Sequence, residues 1–127
     1  MEFLKNFLVA GIAFFGADML WLGVVAKGFY QKHLGNFLRE TPLWSSALVF
    51  YGIYLAGLVY FAILPNKGKP GAAALAGAFF GVVAYSTYEL TNHALVKNWP
   101  WAVVIPDILW GGLASAFAAA VAVYLLR

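Results

Sequence analysis

The chain is 127 residues long, 64% apolar and only 10% charged, with a formal net charge of +3. Soluble domains carry roughly 45–50% apolar and about 25% charged residues, so a water-soluble fold of this size is excluded, because it could not hide this much apolar surface. The small basic excess is scattered singly or in loose pairs, which excludes a nucleic-acid patch, and the lack of cysteine excludes disulfides and thiolate metal sites.

A bilayer accepts such a chain if it offers apolar runs of about 20 residues. The first run extends from about Phe7 to Ala26. Its charged lead, "MEFLK", is weak for a signal peptide, Asp18 interrupts the apolar stretch and no clear cleavage site follows, so it reads as a retained first span. The link after it, "KGFYQKHLGNFLRETP" (27–42), places Phe29, Tyr30, Leu34, Phe37 and Leu38 at helical spacing, with Lys27, Lys32 and Arg39 between them. That pattern predicts a short amphipathic helix lying in the membrane interface, with an ordered surface loop as the alternative. The second span runs from about Leu43 to Leu64 and ends in a Pro/Gly turn, "PNKGKPG" (65–71). The third runs from about Ala72 to Val96, followed by the turn "KNWPW" (97–101), and the fourth from about Trp101 to Leu126. The expected fold is all-α: an integral membrane four-helix bundle with an interfacial amphipathic helix between spans one and two. It forms a single domain over residues 1–127, with both termini on one face.

Charge does not orient the bundle. Lys5, Lys67, Lys69 and Arg127 fall on the face bearing the termini, and Lys27, Lys32, Arg39 and Lys97 on the other, so the positive-inside count is a tie. Tryptophan is one-sided: Trp44, Trp99 and Trp101 stand at helix ends away from the termini, and Trp21 and Trp110 in the adjacent half of the bilayer. Anchoring in an aromatic belt accounts for the first three.

One short pattern occurs twice, as "DMLWLG" (18–23) and "DILWGG" (107–112). The copies run in opposite directions through the membrane, so they do not arise from duplication of a two-helix unit and read as convergent local motifs. Asp18 lies nine residues before Lys27, Glu89 eight before Lys97, and Asp107 six after Trp101. At about 1.5 Å per residue, all three acids reach roughly 9–13 Å below the same interface. An ionised, unpaired carboxylate at that depth costs several kcal/mol, so three of them need a reason. They either bond helix to helix, as Asp18 would by accepting from a Trp indole or Tyr hydroxyl, or line a polar pocket.

In the third span Ala73, Gly77, Gly81, Tyr85, Glu89 and His93 recur at every fourth residue and form one stripe, small in its first half and polar in its second. Tyr88 and Asn92 flank the polar half. The fourth span repeats the pattern with Asp107, Gly111, Ser115 and Ala119, and Tyr51 and Tyr54 of the second span lie at matching depth. A helix that packs tightly at one end and turns polar at the other predicts a cavity toward one face. The expected ligand-binding set is Asp18, Trp21, Tyr51, Tyr54, Tyr85, Glu89, Asn92, Asp107 and Trp110. Glu89 and His93, one helical turn apart, could together ligate a metal, but a carboxylate-histidine bundle site commonly repeats Glu-x-x-His on two helices and this chain does not. No hydrolase elbow, phosphate loop or zinc-protease motif occurs.

The blocks "DMLWLGVVAKGFYQKHLG" (18–35), "YGIYLAGLVYFAILP" (51–65), "YSTYELTNHALVKNWP" (85–100) and "PDILWGG" (106–112) resemble, in order and over nearly the whole chain, a bacterial family of small integral membrane proteins known as domain of unknown function 2177. The resemblance implies four helices in a bacterial inner membrane and no assigned activity. An Asp often stands in that family where this chain has Glu89, which keeps the carboxylate and changes its reach. The resemblance also hints at lipid modification.

Three functions remain open at this point. The first is binding or transport of a small ligand or protons at the acid-lined pocket. The second is a membrane-embedded enzyme or accessory subunit of lipid modification, with a metal at Glu89 and His93 as one version of it. The third is a purely structural subunit. The expected surroundings are the lipid bilayer and no nucleic acid, with self-association through the small-residue stretch "AFAAAVA" (116–122) as an option. The sequence names no cofactor, substrate or orientation.

Overall fold

The computed structural model describes residues 2–25, 28–34 and 43–126. Among these residues five α-helices follow in order: α1 (Glu2–Leu20), α2 (Phe29–Leu34), α3 (Trp44–Leu58), α4 (Pro70–Leu95) and α5 (Trp101–Leu126). Helix α1 runs on into a wider π-helical turn, Trp21–Val25, and α3 into another, Val59–Ile63, closed by a 3-10 turn, Leu64–Asn66. Four helical segments are long and apolar enough to cross a membrane: Glu2–Gly23, Trp44–Asn66, Pro70–Leu95 and Trp101–Leu126. No strand occurs among the described residues. The four-span all-α architecture expected from the apolar runs is therefore the architecture observed.

The boundaries follow local chemistry. Pro70 opens α4 in the first turn, where a missing N–H costs nothing, after Gly68 has reversed the chain at φ 77°. Asn98, at φ 63°, reverses it again before Pro100, whose carbonyl accepts the N–H groups of Val103 and Val104 at 3.0 and 3.2 Å and starts α5. Helix α1 begins at Glu2, five residues before the expected Phe7, because the early charges do not end the helix: Glu2 pairs with Lys67 at 2.6 Å. That exposed pair ties the start of α1 to the turn before α4 and adds little stability. Helix α4 continues through Leu95, so Glu89 and His93 lie inside it. Between the first two spans, α2 covers only six residues; the rest of the expected amphipathic stretch, including Phe37, Leu38 and Arg39, lies outside the described residues.

Helices α4 and α5 pack along their length, α1 lies mainly against α5, and α3 meets α4 chiefly through its π-helical turn. The α4–α5 contact is the one drawn by the small-residue stripes. A Cβ added at Gly77 would stand 2.7 Å from the Ser115 carbonyl oxygen and 2.9 Å from the Ala119 Cβ. One added at Gly81 would overlap the Gly111 carbonyl, and one at Gly111 would enter the Tyr85 ring. Only glycine permits this approach.

The two halves of the bundle differ. Toward the termini the interior is dry, with Ala10, Phe14, Leu58, Val59, Ala62, Ile63, Ala118, Ala119 and Ala122 fully or almost fully buried. Ala118, Ala119 and Ala122 are thus consumed inside the chain, so that part of the 116–122 stretch is not free to meet a second copy. Toward the tryptophans, the buried groups include Asp18, Glu89 and Ser115. Large side chains such as Ile12, Ile53, Leu75 and Phe79 are at least 70% exposed, which suits a surface solvated by lipid tails.

Candidate functional site

The polar half contains two acidic centres. The first is built on Asp18 of α1, which is buried. Its carboxylate accepts the Tyr51 hydroxyl from α3 and, at 3.2 Å, the Trp110 indole N–H from α5. Trp21 stacks flat on Trp110, with ring centroids 4.7 Å apart and 8° between planes. The two Asp-x-Leu-Trp copies thus interlock: the tryptophan of the second serves the acid of the first, and the two indoles lie face to face. Next to this centre Tyr54, also buried, shares a hydrogen bond with Ser115 of α5 and meets the Tyr85 ring edge-on at 6.1 Å.

The second centre continues the α4–α5 stripe. Gly77 faces Ser115 and Ala119, Gly81 faces Gly111 and Ser115, and Tyr85 lies over Gly111. One turn further, the Glu89 and Asp107 carboxyls lie side by side. Glu89 is 1% exposed and accepts the Trp99 indole N–H at 2.8 Å through Oε1. His93, one turn on, has Nδ1 2.8 Å from the Trp99 carbonyl, a contact that requires the ring to donate, and its ring lies 4.0 Å from that of Trp101. Asn92 stands one turn beyond Tyr88 on the same helix.

A cavity of about 310 Å³ opens beside the second centre, lined by Phe50 of α3, by Ala84, Tyr85 and Tyr88 of α4, and by Asp107 of α5. Phe50 stands six residues into α3, Asp107 six into α5 and Tyr88 seven before the end of α4, which puts the cavity roughly 9–11 Å from those helix ends. Phe50 and Tyr88 are about half exposed, so the rim faces outward between α3 and α4, where the two helix backbones lie apart. A wider apolar groove of about 510 Å³ runs between α1 and α3, with Tyr51 on its wall, but that hydroxyl is held by Asp18.

The nine residues singled out from sequence therefore fall into two groups. Asp18, Trp21, Tyr51 and Trp110 form the first centre, with Tyr54 beside it, and Tyr85, Glu89 and Asp107 the second, with Asn92 behind Tyr88. Sequence reasoning missed Phe50 and Ala84 as cavity walls and Trp99 as the partner of Glu89. The i, i+4 spacing of Phe50 and Tyr54, whose rings lie 5.5 Å apart, was the available signal for the first. Among the described residues, no three His, Cys, Asp or Glu side chains form a group able to hold a metal.

An all-α chain with four apolar spans and a polar cluster inside one half of its bundle is an integral membrane protein, multi-pass in a lipid bilayer. It belongs to the family described as "Predicted membrane protein (DUF2177)", whose model matches residues 3–124. No curated protein and no solved structure matches it.

Proposed function

We propose that the chain, acting as one four-span unit of a bacterial inner membrane, binds a small ligand inside the bilayer, in the cavity between α3, α4 and α5. The observation that carries this reading is the cavity itself: about 310 Å³, walled by aromatic rings, with the Asp107 carboxyl on its lining and the Glu89 carboxyl beside Asp107. A small number of polar groups converging on an apolar pocket is the usual composition of a ligand site. Asp18 has a different task in this reading. With a hydroxyl and an indole N–H both donated to it from other helices, it fastens α1 to α3 and α5. The acids therefore divide into a fastener and a binding pair.

Native mass spectrometry of protein extracted gently from membranes tests the reading. The unaltered chain is expected to carry a discrete small-molecule mass that is lost both in Ala84→Trp, which fills the cavity, and in Asp107→Asn. Retention of the same mass in both variants, or no bound mass on the unaltered chain, would overturn it.

A further inference from the structure

The cavity also indicates the chemistry of its occupant. Three of its five lining side chains, Phe50, Tyr85 and Tyr88, are aromatic rings contributed by two helices, and a fourth is a carboxyl group. The aromatic face is electron-rich and attracts a cation placed over it, most strongly where water is excluded. The Asp107 carboxyl on the lining adds an acidic group, the complement of a cationic ligand. Ala84, one turn before Tyr88, leaves room for an apolar body, and the half-exposed Phe50 and Tyr88 at the rim open the cavity toward lipid rather than through the apolar core. A neutral hydrocarbon would leave the carboxyl unused, and an anion would meet it unfavourably. A small inorganic cation would fill little of the space and is held by several carboxylate or carbonyl oxygens, whereas the lining brings one carboxyl group and two phenols.

We propose that the ligand is an organic cation: a quaternary ammonium or protonated amine on an apolar body, its charge against Asp107 and the rings of Phe50, Tyr85 and Tyr88. This rests on the cavity being the binding site, and the test separates the two claims. The probes are radiolabelled benzyltrimethylammonium and its neutral isostere neopentylbenzene, which has the same shape without the charge, offered to the full chain in lipid nanodiscs. Saturable binding of benzyltrimethylammonium is expected, with neopentylbenzene a poor competitor. Replacing one ring, in Phe50→Leu or Tyr88→Leu, should weaken the cation by roughly 2- to 30-fold, the range of a single cation–π contact, and Asp107→Asn should weaken it further. Both leucine variants alter rim residues outside the core, so they keep the test open if Asp107→Asn does not fold. If neopentylbenzene competes as well as the cation, and Ala84→Trp abolishes both, the cavity stands and the cationic class falls. If the cation binds equally to the unaltered chain and to Ala84→Trp, it binds elsewhere and the proposal falls. If neither probe binds while native mass spectrometry still finds a mass that depends on the cavity, the class alone is refuted.

Discussion

The Asp18 carboxylate receives a hydroxyl from α3 and an indole N–H from α5, whereas Glu89 receives the Trp99 indole N–H and lies beside Asp107. Interhelical hydrogen bonds inside membranes are worth about 0.6 kcal/mol on average and at most about 1.7. Tyr51→Phe, which removes one of the two bonds to Asp18, should therefore cost about 1 kcal/mol in detergent-titrated unfolding, and Asp18→Ala, which removes both, should cost more. The double variant should cost little more than Asp18→Ala alone, since the Tyr51 bond is already gone; full additivity would show that Asp18 and Tyr51 do not act as a pair. At this scale the sequence was partly legible. The twin acids stood out because charge is expensive in an apolar run, and a Trp indole or Tyr hydroxyl from another helix was the legible kind of partner for Asp18. Which tryptophan and which tyrosine was not legible, because spacing within one segment carries no information about its neighbours. Trp99 was hidden for a related reason. At a helix end it reads as a belt anchor, and only the reversal at Asn98 brings its indole back onto Glu89.

The stripe along α4 was the most legible element, because a four-residue repeat of small groups encodes close approach within a single helix. The matching stripe on α5 then set its partner. Glycine in a helix interior ordinarily costs up to about 1 kcal/mol relative to alanine, so its value at the interface shows as a reversal of sign. Gly81→Ala, which drives a methyl group into the Gly111 backbone, should destabilise the protein by about 1–3 kcal/mol. Gly52→Ala, in α3 with nothing within 4 Å of an added Cβ, should be neutral or gain a few tenths of a kcal/mol. Equal effects in unfolding titrations would mean that α4 and α5 do not meet at Gly81. Helix α3 was less legible. Its apolar residues surround it evenly, so its length could be read but not its partner, and the gap that becomes the cavity left no periodic mark.

At the scale of the whole molecule, the bundle joins a dry, small-residue half near the termini to a polar half near the tryptophans. Both the cavity and the acid pair depend on one feature, the register of α4 against α5. Gly77 lies twelve residues before Glu89, and Ala119 lies twelve after Asp107. In two antiparallel helices these contacts belong to one register, so fixing the first fixes the second. The chain contains no cysteine, so introduced pairs can be read without background. A disulfide needs Cβ atoms roughly 3.5–4.5 Å apart, and a Cβ built at Gly112 stands 3.0 Å from the Val82 Cγ2 and 3.5 Å from the Ala78 carbonyl oxygen, close enough for a bridge to position 82 without crowding the backbone. The decisive measurement is oxidative cross-linking in native membranes of the double variant Val82→Cys, Gly112→Cys. The register described predicts a rapid, nearly complete intramolecular disulfide. No bond at that pair, with efficient bonding of Val82→Cys to Ala116→Cys one turn further along α5, would contradict it and would move Glu89 away from Asp107.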